Sequence, residues 1–75
     1  MKTSQLKAIL NRLEAMTADD SEIEVRRFEF EGQERCQVRY DRETESFELH
    51  DHTINESFQF DDIDLVAIEI FELLQ

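Results

Sequence analysis

His50-Asp51-His52 is the one place in this 75-residue sequence where metal-ligating side-chain types cluster. On an extended strand, residues two apart project to the same face about 7 Å apart at the backbone, so both imidazoles would point together with Glu48 beside them. Zinc or nickel could use such a pair. Spacing fixes no third ligand, however, whereas a structural zinc site takes four, so the segment reads first as a polar strand end entering a turn. His50 and His52 are therefore weak metal candidates, and the expectation is no metal and no cofactor. Zinc titration is expected to leave the melting temperature unchanged; an upward shift would revive the site.

Cys36 is the only cysteine. It alternates with Val38 and Tyr40 on an apolar strand face, where a thiol behaves as a small hydrophobe. Activation would need a nearby histidine, cation or helix N-terminus. Neighbouring acids such as Asp61–Asp62 and Glu69 with Glu72 could be imagined as a general acid and base. Carboxylates acquire useful pKa values only through burial or close coupling, and nothing in the pattern provides a cleft. No glycine-rich phosphate loop or nucleophile elbow is present. The expectation is a protein that is not an enzyme and has no catalytic residues.

Nineteen acidic and eight basic side chains give a formal net charge of −11. That sign argues against direct nucleic-acid binding, which neutralises phosphates with Lys and Arg, and against anionic membrane surfaces. Like-charge repulsion opposes compaction, so moderate salt is expected to raise the melting temperature, and a fall would contradict this. Arg26, Arg27, Arg35, Arg39 and Arg42 gather within one hairpin region. Interleaved glutamates make them neutralising partners first and an outer-face patch for an acidic partner second. A lone cysteine, no apolar leader near Met1 and no run of 18 apolar residues predict a reducing cytoplasm.

The elements that must position these groups follow from periodicity. Leu6, Ile9, Leu10, Leu13 and Met16 recur at three and four, predicting a helix over Ser4 to Met16 capped at Thr3 or Ser4. "TADDS" (17–21) is a polar break. Four alternating runs follow: Ile23 and Val25 then Phe28 and Phe30; Cys36, Val38 and Tyr40; Phe47 and Leu49; Phe58 and Phe60. They predict an antiparallel meander with one wet face. The parity slip at Arg26–Arg27 predicts a bulge there, or a strand starting at Arg27. A loop over Glu31–Gln33 sets Phe28 opposite Cys36 and Glu29 opposite Arg35. A turn centred on Glu43–Thr44 sets Tyr40 near Phe47 and Arg39 opposite Glu48, and a loop over His52–Asn55 sets Leu49 opposite Phe58.

"FDDIDLVAIEIFELLQ" (60–75) is too long for an ordinary strand and predicts a second helix. Asp61 would be its N-cap, with Phe60 stapled on Leu65. Ile63, Val66, Ala67, Ile70, Leu73 and Leu74 share the core stripe, and Leu65 and Ile68 fall among the opposing acids. The fold expected is α+β, order α-β-β-β-β-α, in a single domain over 1–75. Its four-stranded (or three-stranded) antiparallel meander carries the N-terminal and C-terminal helices.

The C-terminal block, together with Gly32, Cys36, Val38 and Tyr40 at their spacing and "SFEL", resembles the YkuJ family of small proteins from low-GC Gram-positive bacteria. The resemblance runs nearly end to end and implies a central antiparallel sheet flanked by helices. It implies no activity, and the "HDH" histidines lie outside its pattern. The functional expectation is a small acidic interaction module that self-associates or meets an unknown protein partner, with Leu65, Ile68 and Glu72 as contact candidates. The alternative is an acidic decoy or regulator of a basic, nucleic-acid-binding protein.

Overall fold

The structure is a computed structural model, described over residues 3–18 and 25–75. Helix α1 spans Thr3–Thr17, strands β1 to β4 span Val25–Phe30, Gln33–Asp41, Ser46–Asp51 and Glu56–Phe60, and helix α2 spans Ile63–Leu73. The strands form one antiparallel sheet in the order β1-β2-β3-β4. Helix α1 already includes Thr3 and Ser4, so neither stands before it as the expected cap, while most of the polar break and Ile23 lie outside the described residues.

Both helices cover one face of the sheet. Their stripes (Ile9, Leu13 and Met16; Val66, Ala67, Ile70, Phe71 and Leu74) close over Phe28, Cys36, Val38, Phe47 and Leu49 as one core. The side chain of Arg12 seals the margin of α1 against β1. Its guanidinium lies 4.4 Å from the centre of the Phe28 ring and donates to the Arg27 carbonyl at 3.2 Å. At the other end of α1, Arg42 donates to the Met16 carbonyl, meeting one of the carbonyls that a helix C-terminus leaves open.

Four of the five expected pairings form as read: Phe28 opposite Cys36, Tyr40 opposite Phe47, Arg39 opposite Glu48, and Leu49 opposite Phe58. The β1–β2 turn differs. It is the two residues Glu31 and Gly32, with φ of 52° and 79°. Positive φ at both central positions is what a tight hairpin turn of type I′ requires. Shortening the turn from three residues to two displaces the register between Phe28 and Glu29, so Glu29 faces Glu34 instead of Arg35. The bulge expected at Arg26–Arg27 is absent from β1. Val25 lies on the open face, so the parity of Phe28 and Phe30 requires no slip.

An alanine Cβ at Gly32 would meet nothing within 4 Å, leaving only the left-handed backbone as the penalty. Gly32→Ala is therefore expected to destabilise the domain by about 1 kcal/mol, measured by urea unfolding. No change would mean the turn relaxes to another type.

The other two turns share one construction. The strand-ending Asp41 accepts from the Glu43 N–H at 2.9 Å, and Asp51 accepts from the Thr53 N–H at 2.8 Å. Four residues after each aspartate, Glu45 and Asn55 take positive φ and return the chain. These short acids supply local turn bonds that replace backbone pairing. Asp51, opposite Cys36 in the inward row, is buried, whereas Asp41 in the same role is exposed.

Helix α2 is capped one residue later than expected. Asp62, with extended φ and ψ of −124° and 121°, accepts from the Asp64 N–H at 2.8 Å, while its carbonyl accepts from Val66 N–H. Asp61 stands outside the helix. The Phe60–Leu65 staple consequently falls out of register, and Leu65 is exposed.

Candidate functional site

Helix α2 divides its apolar residues between two environments. Val66, Ala67, Ile70 and Phe71 are buried, whereas Leu65 and Ile68 are 55% and 44% exposed. Ile68 lines a shallow groove of about 290 Å³ with Leu6 and Leu10 of α1 and with Ala67 and Asp64 of α2. Leu65 lies one turn before Ile68 on the same helix. Exposed Asp64 and Glu72 border these aliphatics, and exposed Lys7 follows Leu6 on α1. The sequence pattern located Leu65 and Ile68. It missed the contribution of α1, since only packing reveals which side of Leu6 and Leu10 stays uncovered.

The histidines come together on the open face of the sheet, with ring centres 5.0 Å apart and an edge-to-face arrangement. Their acidic neighbour is Glu34, whose Oε2 is 2.5 Å from His52 Nε2 and whose other oxygen meets Arg27 at 3.4 Å. Glu48, the acid expected beside them, instead faces Arg39 and Gln59. The displaced β1–β2 register turns Glu34 to this face, so spacing alone could not identify it. His50 is held at both ring nitrogens, with Nε2 in hydrogen-bond contact with Asn55 Oδ1 at 3.1 Å and Nδ1 with the Ser57 hydroxyl at 2.8 Å. These bonds tie β3 to β4 across their turn. Among the described residues, no three His, Cys, Asp or Glu side chains are grouped to hold a metal ion.

Cys36 is fully buried beneath the helices. Burial, reinforced by the charges of Asp51, Glu34 and Glu69, pushes its thiol up to about 12, the reverse of nucleophile activation.

The arginines do not form one outer patch. Arg27 and Arg39 lie on the open face, Arg26 opposes Val38 in the inward row, Arg35 lies 5.6 Å from the centre of the Phe30 ring, and Arg42 reaches α1. The same face carries a depression of about 150 Å³ lined by Arg39, Asp41, Ser46, Glu48 and Gln59. Ser46 accepts from Gln59 Nε2 at 2.9 Å, so the depression is bound up in its own hydrogen bonds.

A helix, an antiparallel four-stranded meander and a second helix on the same face define a small α+β helix-sheet-helix domain. Within that class, residues 9–74 match the family described as "Protein of unknown function (DUF1797)", and the chain belongs to it. It is 41% identical over 78 residues to the uncharacterized protein YkuJ of Bacillus subtilis (strain 168), covering 96% of this chain and 99% of that protein. An X-ray structure of the Bacillus subtilis YkuJ protein matches with a TM-score of 0.82 at 38% identity, covering 95% of this chain and 98% of that chain. No helix among the described residues is long and apolar enough to cross a membrane.

Proposed function

We propose that this protein is a small, acidic, non-enzymatic interaction module that docks a protein partner on its helix layer. The observation that carries the reading is the exposure of Leu65 and Ile68 beside the Leu6–Leu10 groove, within a surface otherwise rich in carboxylates. Two aliphatics with an acidic border suit a partner that offers an apolar knob with a basic rim. Leu65, Ile68 and Glu72 are the contact residues, the first two for burial and the third for the rim. Covering what remains exposed of Leu65 and Ile68 would contribute about 2–3 kcal/mol. Leu65→Ser with Ile68→Ser is then expected to weaken a captured partner by roughly 30- to 100-fold while leaving the melting temperature nearly unchanged. Undiminished capture by the double variant would refute the reading.

The net charge of −11 and exposed Asp61, Asp62, Asp64 and Glu72 favour a second reading, an acidic decoy or regulator of a basic protein. Capture repeated at high salt separates the two. A decoy loses its partner steeply, whereas apolar docking persists. Self-association belongs to the first reading, since a small domain with limited core gains stability from a second copy.

A further inference from the structure

The two edges of the sheet are built differently. β1 carries Arg26, Arg27 and Glu29, contains a register irregularity beside its turn, and already has one carbonyl taken by Arg12. Charged side chains, irregular register and covering groups are the devices by which edge strands avoid pairing with other chains. β4, Glu56–Phe60, has none of them. It is regular against β3, has no Lys, Arg or Pro, and bears one charge in five residues within a chain that is 36% charged. Phe58, expected to be inward, does lie on the helix-covered face. At the sheet edge, however, it remains 40% exposed, because α2 does not reach fully over it.

We propose that β4 is a self-recognition strand: two copies pair antiparallel about a two-fold axis at Phe58, joining their sheets into one of eight strands. The strand is complementary to itself in that register. Phe58 falls opposite Phe58 of the second copy on the helix face, so each ring covers the other. Ser57 falls opposite Gln59, a neutral hydroxyl and amide on the open face, and Glu56 falls opposite Phe60. No carboxylate opposes a carboxylate within the strand. Continued outward, the register directs Asp61 and Asp62 toward the neutral Asn55 and Ile54 of the other chain. For two molecules of charge −11, a strand that sets no like charges directly opposite each other favours meeting along β4. Because residues 56, 58 and 60 share one face, the helices of both copies stay on the same side of the joined sheet.

This inference rests on the interaction-module reading only in making self-association part of it. It uses a different surface, so the two fail separately. One strand pair with one aromatic pair is a small interface, which places association in the weak class.

Sedimentation of the full chain over a concentration series, to about 500 µM for this weak class, is expected to move from the 9.0 kDa monomer toward twice that mass. Ser57→Lys and Phe58→Lys are expected to abolish the shift, and Leu65→Ser with Ile68→Ser to preserve it. A second readout does not depend on tolerance of lysine. Under mild oxidation Phe58→Cys is expected to form a disulfide-linked dimer at least tenfold faster than Glu56→Cys, because only position 58 meets its own counterpart. A monomer throughout the series would overturn the proposal. So would a dimer abolished by the helix variants but not by the β4 variants, or equal cross-linking from positions 56 and 58.

Discussion

Phe71→Ala is expected to leave this chain largely unfolded at 25 °C. Phe71 is among the largest fully buried side chains and belongs to the core that α2 closes over the sheet. Removing such a ring costs about 3–5 kcal/mol in lost transfer energy plus the cavity left behind. A domain of this size, without disulfides, has only about 3–5 kcal/mol of net stability to lose. Leu65→Ala, six residues earlier on the same helix, is expected to change stability by less than about 0.5 kcal/mol, because its side chain is half in water already. Urea unfolding followed by circular dichroism distinguishes the two. Comparable losses would mean that Leu65 is a core residue and that no surface of α2 is left for a partner.

The second large effect is alkaline. With its thiol displaced from 9.0 to about 12, Cys36 remains protonated in the fold after the unfolded chain has begun to ionise. Below pH 9 both states hold the proton, so the native state keeps its full stability. Between pH 9 and 12 the unfolded state binds fewer protons, and stability falls as pH rises. Completed, the loss amounts to roughly 4 kcal/mol, an order-of-magnitude figure from the displacement. The informative quantity is the difference between wild type and Cys36→Ala, which cancels contributions common to both chains. The variant is expected to start less stable and to lose less from pH 9 upward. Parallel curves would contradict a sealed Cys36. The same burial makes thiol modification track unfolding, with reagents reacting at the rate at which the core opens.

How much of this was legible in the sequence varies with the physics involved. Period-two alternation identifies which residues of a strand share a face. Cys36, Val38, Phe47 and Leu49 were therefore readable, and their pairings followed from turn positions. Alternation does not report how far the helices extend over the sheet. Phe58 has the parity of a core residue and the exposure of an edge residue for that reason. Turn length controls the register beside it. A single glycine was the only sign that Glu31–Gly32 would close β1 on β2, and one residue of difference brought Glu34 to His52 and opposed it to Glu29. The Asp41 and Asp51 turns were more readable in principle. Each places an acid at a strand end with a left-handed residue four positions on, in "DRETE" and "DHTIN". The second helix carried the clearest signal, since a 3.6-residue period assigns Val66, Ala67, Ile70 and Leu74 inward and leaves Leu65 and Ile68 outside. What such residues touch depends on another molecule, and one chain's periodicity contains no record of that.

On the proposed reading, the surface around Leu65 and Ile68 exists for contact and not for folding. The most direct test is photo-cross-linking inside cells that produce the protein, with a photoreactive side chain at position 68 and a control at exposed Glu43. A discrete adduct of defined mass is expected from position 68, absent from position 43 and lost when Leu65→Ser is added. No adduct from position 68, or the same adducts from both positions, would contradict that reading.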